Sequence, residues 1–323
     1  MTIQDPRIVV IGGGTGLSVM LRGLKDKPLD ITAIVTVADD GGSSGILRSE
    51  MHMPPPGDIR NVLVALADVE PLLSQILQYR FQSVHGLAGH NLGNLIIAAL
   101  TDITGDFVTA VKEMNRVFAV KGRVLPVSNQ AISLHALMQD GTIVEGESKI
   151  PLAEGRIKRV FIIPHDASPL EESLQAIREA DAIICGPGSL YTSIIPNLLV
   201  PHIVDEIVHS NAIKLFVCNV MTQPGETDHF SVSEHVSAIY EHIGHRIFDH
   251  VIVNNGKIPQ KVLSRYAEKG SEIVRVDVEK SAEYGYSLIA DHLVLYQTYL
   301  RHDPEKLSAH IYRHAQEHML RKR

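Results

Sequence analysis

The chain has 323 residues, with 30 Lys+Arg against 37 Asp+Glu and a formal charge of −7 with histidine neutral. Hydrophobic residues make up 45% and charged residues 21%, which excludes a disordered or solvated tail and leaves enough chain for a sizeable core. The negative balance speaks against general nucleic-acid binding, and the two cysteines, Cys185 and Cys218, make neither a disulfide framework nor a cysteine zinc site.

The longest apolar runs, such as Leu95–Leu100, fall far short of the roughly 20 residues of a membrane helix. Ile8–Ile11 is too short for a secretory apolar region, so a reducing, cytoplasmic setting is expected.

Arg7–Ile11 reads as a short buried strand, Gly12–Gly16 as a tight turn, Leu17–Leu24 as a helix and Ile31–Val37 as a second β-branched strand. Strand, helix and strand in about thirty residues predict a right-handed crossover and a parallel sheet. Residues 58–120 read as mostly helical, and residues 124–150 as an antiparallel hairpin around Asp140-Gly141. Val160–Ile163 predicts a strand, and Ser168-Pro169-Leu170-Glu171 a capping box with proline at the first helical position. Ala182–Cys185, Lys214–Cys218, His250–Val253 and Glu272–Val276 are further strand candidates. This alternation predicts an α/β fold: a Rossmann-like three-layer sandwich with a mostly parallel sheet. With no low-complexity linker, one domain over residues 1–323 is expected, carrying a helical and β-hairpin insertion at about 58–150.

Gly12-Gly13-Gly14-Thr15-Gly16 lies between a strand and a helix, where glycines let the backbone approach an anion and the helix start supplies N–H groups. A ligand-free strand–helix turn is the alternative, and the dinucleotide fingerprint would need a small residue at Leu17. The second strand ends in Ala38-Asp39-Asp40-Gly41-Gly42-Ser43-Ser44-Gly45. Asp39 stands near the offset at which a Rossmann acid meets a ribose, and Asp39 with Asp40 could hold Mg²⁺ beside a phosphate or position a hydroxyl nucleophile. An Asp-Gly turn with a helix cap is the plainer reading.

In Met53–Asn61, capping alone explains Asp58. Gly89–Asn94 precedes an apolar helix, and Asn91 and Asn94 read as ligand-facing amides. Gly186-Pro187-Gly188-Ser189 is a second glycine turn after a strand, and Asn219-Val220-Met221-Thr222 follows another strand end, so these loops are expected to share one crevice. His310, His314 and His318 have a spacing that can bind metal, but a solvated helix with the basic end Arg321-Lys322-Arg323 is the simpler reading. No P-loop pattern occurs.

Together, IGGGTGLS (Ile11–Ser18), ADDGGSSG (Ala38–Gly45), PPPGDIRN (Pro54–Asn61), GHNLGN (Gly89–Asn94), GPGSLYTS (Gly186–Ser193) and CNVMTQPGETD (Cys218–Asp228) resemble the gluconeogenesis-factor (YvcK-type) family of the CofD-like superfamily. The resemblance implies a cytoplasmic factor for gluconeogenic growth and cell shape that binds UDP-sugars such as UDP-N-acetylglucosamine or UDP-glucose. It also implies a protein partner in envelope synthesis. The turns Gly13–Gly16 and Gly186–Ser189 would surround the pyrophosphate, and Tyr266 and Arg301 would hold base and phosphate by stacking and a guanidinium fork.

The superfamily's other activity is a transferase forming a phosphodiester from a nucleotide-activated 2-phospholactate, in which Asp39 and Asp40 would be catalytic and hold Mg²⁺. GDP or NAD are alternative nucleotide ligands. An NAD-dependent oxidoreductase is the fold-based rival, although the chain shows no acid/base group suited to hydride transfer. A homo-oligomer remains open.

Overall fold

A computed structural model describes residues 5–68, 71–82, 86–296 and 299–322; Arg323 of the basic end lies outside them. The chain opens as predicted, with β1 (Arg7–Gly12), α1 (Gly14–Leu24) and β2 (Asp30–Val35). Five helices follow: α2 (Gly42–Met51), α3 (Gly57–Leu66), α4 (Pro71–Gln78), α5 (Leu92–Thr104) and α6 (Phe107–Val117). Then come β3 (Arg123–Pro126), β4 (Ser133–Met138), β5 (Ile143–Glu145), β6 (Ile157–Ile163), α7 (Glu171–Glu179) and β7 (Ala182–Cys185). After β7 the order is α8 (Ile195–Leu198), α9 (Ile203–His209), β8 (Ile213–Val217), α10 (Val232–Ile243) and β9 (His250–Asn254). The last elements are α11 (Gln260–Ala267), α12 (Val278–Tyr284), β10 (Ser287–Asp291), β11 (Val294–Tyr296), β12 (Leu300–His302) and α13 (Pro304–Arg321).

Seven strands form one sheet in the order β10-β9-β8-β7-β1-β2-β3, and every neighbouring pair is parallel. Because helices flank it, the central strands read as unbroken apolar runs: Ile8–Ile11, Ile183–Cys185 and Leu215–Val217 are buried almost completely. Helix α1 packs against α3 and α13, and α7 against α9. This is the Rossmann-like three-layer α/β sandwich expected from the alternation of elements.

Several elements differ from their sequence reading. Residues 123–126 pair in parallel with β2, as a short edge strand ending in Pro126, where a missing N–H costs no ladder bond. β6 pairs antiparallel with β4 and so belongs to a three-stranded sheet β5-β4-β6. No capping box forms at Ser168; α7 starts later, with Leu170 as N-cap and no side-chain cap, because the Ser168 N–H is taken by Gln130 Oε1 at 3.1 Å. Glu272–Val276 makes only single bridges, from Ile273 to Met221 and from Arg275 to Ser231. The outermost strand is β10, paired with β9.

Cys185 ends β7 and Cys218 follows β8, and both thiols are free and buried. Burial pushes the Cys185 thiol up to about 12 and Cys218 higher still. No single helix among the described residues is long and apolar enough to cross a membrane.

Candidate functional site

β1 and β7 are neighbours at the point where the strand order reverses direction, and in open α/β sheets the ligand crevice lies outside the carboxyl ends of such a pair. Both glycine turns leave from this pair.

The first turn leads into α1, whose N-cap is Gly13 in extended backbone with no side-chain cap. The Gly14 N–H meets the Asp58 carboxylate, while the Gly13–Gly16 backbone at the positive end of the helix lines the crevice. Side chains are excluded by close packing: a Cβ on Gly16 would stand 2.9 Å from the Pro187 carbonyl oxygen, and one on Gly13 would run into the Asp58 carboxylate. Leu17, the departure from the dinucleotide fingerprint, is wholly buried.

The second turn is already satisfied from within. Gly188 N donates to Asn219 Oδ1 at 3.2 Å, and Asn219 Nδ2 donates to Gly188 O at 2.7 Å. The helical turn at Leu190–Ile194 begins on Glu226: Tyr191 N donates to Oε2 at 3.2 Å and Thr192 Oγ1 to Oε1 at 3.4 Å. Burial pushes the Glu226 carboxyl up to about 7, even though these donors pull the other way. Gln223 Nε2 donates to Ser189 Oγ at 2.7 Å. The place where an outside anion would sit thus holds the protein's own carboxyl group.

A cavity of about 560 Å³ lies between the turns and the last third of the chain. It gathers Gly13, Gly14, Thr15 and Gly16 with Gly188, Ser189, Asn219 and Thr222, and across from them Tyr266 of α11 and Arg301 of β12. The Tyr266 hydroxyl accepts from Leu300 N at 2.9 Å, tying α11 to the β11–β12 ribbon. Sequence reasoning missed His302 and Tyr299, which also line the cavity, because their position depends on that ribbon. Burial drives His302 down to about 4, so its neutral ring donates from Nε2 to Cys218 O at 3.2 Å.

Four predicted residues, Gly186, Asn94, Asp39 and Asp40, lie outside the cavity lining. Gly186 is the pivot of the second turn, with φ +77° and the Val217 carbonyl oxygen 2.9 Å from where a Cβ would be. Asn94 is buried; its Oδ1 accepts from Arg60 Nη1 at 3.1 Å and its Nδ2 donates to Ser44 Oγ at 3.4 Å.

Asp39 and Asp40 lie beyond Asp58. Asp39 Oδ1 accepts from Gly41 N at 2.9 Å, and Asp40 Oδ1 from Ser148 N at 2.8 Å. Asp58 is the second residue of α3, whose N-cap is Pro56, so it is no cap. Burial and the Asp39 charge push it up to about 7, while the Gly14 N–H, Arg60 and Asn61 pull it down. Glu147, missed inside the predicted hairpin, is pushed up to about 8 by burial and by Asp39, Asp58 and Asp40.

No group of three or more ligating side chains among the described residues is placed to hold a metal ion. The Asp58 carboxylate stands against Gly13, and Asp39 against Gly57 and Gly41. The α13 histidines serve docking: His310 Nε2 meets Asp291 Oδ2 at 2.8 Å, and His318 Nε2 meets Asn211 O at 2.7 Å.

A family described as 2-phospho-L-lactate transferase CofD matches residues 8–294. The chain belongs to the CofD family. It is 54% identical over 307 residues to the gluconeogenesis factor of Bacillus subtilis, covering 95% of this chain and 97% of that protein. To the gluconeogenesis factor of Halalkalibacterium halodurans it is 56% identical, covering 95% of each. A crystal structure of a UPF0052-family protein from Bacillus halodurans superposes with a TM-score of 0.93 at 55% identity, covering 95% of this chain and 99% of that one.

Proposed function

We propose that this CofD-family chain binds a nucleotide diphosphate sugar in the β1/β7 crevice and acts as a cytoplasmic factor in gluconeogenic growth and envelope regulation. The observation that carries the binding reading is that the glycine turn at the start of α1 lines one cavity with Tyr266 and Arg301. The diphosphate would lie on the Gly13–Gly16 backbone, Arg301 would neutralise it, and the Tyr266 ring would stack on the base. The physiological role is supported by the names of the relatives and the resemblance of the motifs.

A thermal-shift panel with UDP-N-acetylglucosamine, UDP-glucose, GDP and NAD tests the reading. A ligand at a hundred times its Kd adds about 2.7 kcal/mol, and Arg301→Glu should abolish the UDP-sugar shift while the unliganded Tm stays put. A shift with NAD alone would overturn it.

The acidic cluster favours a second reading, the phosphodiester-forming transferase. Burial, and after it the neighbouring Asp39 charge, makes Asp58 and Glu147 hold protons unusually tightly, and a bound dication would relieve the repulsion. Mg²⁺ would supply charge neutralisation at the phosphates, with Asp39 and Asp58 holding it and Asp40 orienting the attacking hydroxyl. Under this reading Mg²⁺ raises the Tm in the presence of GDP, and Asp40→Asn loses turnover but keeps nucleotide binding. Unchanged melting with Mg²⁺ would remove the metal from the site.

A further inference from the structure

Helix α1 runs from the glycine turn past Val19 to Arg22 in its last turn. Opposite stands the β11–β12 ribbon. Between them a second cavity of about 440 Å³ opens off the nucleotide crevice, and Val19, Tyr299, Arg301 and His302 line both spaces. Arg22 and apolar carbon from Leu295 also line it, and among the described residues no acidic side chain does.

Two guanidinium groups thus line one cavity in a chain of net charge −7. Partial burial, and after it the charge of Arg301, holds the Arg22 guanidinium below its ordinary range. His302 adds no charge, since burial keeps its ring neutral. Both arginines are exposed at the cavity mouth; like charges facing one cavity repel, and an anion between them turns the repulsion into forked, charge-assisted hydrogen bonds. Arg22 lies six residues beyond Gly16, about 9 Å along the helix, a span that a hexose hanging from a diphosphate at the helix start covers.

Resting on the nucleotide-sugar reading, we infer that Arg22, with Arg301 at the boundary of the two cavities, forms an acid-recognition subsite for the sugar end of the ligand. The chain accordingly prefers nucleotide sugars that carry an acidic group on the sugar over neutral ones.

Calorimetric titration with UDP-glucose and UDP-glucuronate isolates this contact, because the two differ only in a hydroxymethyl group exchanged for a carboxylate. Wild type should bind UDP-glucuronate about tenfold more tightly, the scale of one charge-assisted hydrogen bond. The preference should vanish in Arg22→Gln and return in part in Arg22→Lys, both melting like wild type. Inorganic phosphate, the free-anion source of the same chemistry, should weaken UDP-glucuronate binding in wild type far more than in Arg22→Gln.

Equal affinities in wild type, a preference that survives Arg22→Gln, or phosphate competing alike with both sugars would overturn the subsite and leave nucleotide-sugar binding standing. If neither UDP-sugar binds, the nucleotide-sugar reading fails and the subsite falls with it.

Discussion

The turn after β1 and the turn after β7 both run from strand through glycines into helix, and both face the same crevice. After β1 the N-cap Gly13 supplies no side-chain cap, the Gly14 N–H meets the Asp58 carboxylate, and the Gly13–Gly16 backbone lines the cavity. After β7 the corresponding donors end on Glu226, and the Gly188 backbone ends on Asn219. A glycine turn at a strand end therefore predicts a helix start that needs a negative partner, and the partner can be a ligand or part of the chain. The filled turn becomes the wall that shapes the open one, since Pro187 stands against Gly16.

Emptying the second turn is the harshest test. Glu226→Ala leaves Tyr191 N and the Thr192 hydroxyl without partners and should cost about 4 kcal/mol in urea unfolding at pH 7. Added formate should restore part of that loss in the variant and none in wild type.

The acidity of the same residue gives the next effect. Its folded value, about 7 against an ordinary 4.5, means its contribution to stability is full below pH 4.5 and is lost as pH rises through 7. Asp58 and Glu147 are shifted in the same direction, so wild-type stability should fall from pH 5 to pH 8.5. Glu226→Gln should flatten this fall by up to about 3 kcal/mol, as read from denaturation at the two pH values.

Gly16→Ala attacks the contact between the turns. Its methyl group meets the Pro187 carbonyl, so a loss of about 2 kcal/mol is expected, with nucleotide affinity falling further than stability. The smallest effect belongs to Tyr266→Phe, which keeps the ring and removes the bond to Leu300 N. About 1 kcal/mol of stability should go, while calorimetry should find ligand affinity lowered only a few-fold.

Local pattern was enough for the strands that make the crevice, because β1, β2, β7, β8 and β9 are apolar runs bounded by turn residues. It misled at Glu272–Val276, where Ile273, Val274 and Val276 look like a strand but meet loop backbone at Met221 and Ser231. It also passed over β10, whose half-exposed edge position leaves no unbroken apolar run. Within the site, the glycines and the amide of Asn219 stood out by position. Glu226 did not, because TQPGETD reads as a solvated turn and only the tertiary fold buries its acid. Glu147 was hidden for a similar reason: its proximity to Asp39 and Asp58 comes from β5 folding back toward β2's exit loop.

The two cysteines give the crevice a built-in reporter. Cys185 and Cys218 sit where β7 and β8 hand over to the loops of the site, and their buried thiols are almost wholly unionised at neutral pH. A thiol reagent can modify them only when those strand ends part from their neighbours, since the thiolate is the reactive form. Their labelling rate is therefore a clock for opening of the crevice, and a ligand bridging α1 to Arg301 should slow that clock in proportion to its occupancy.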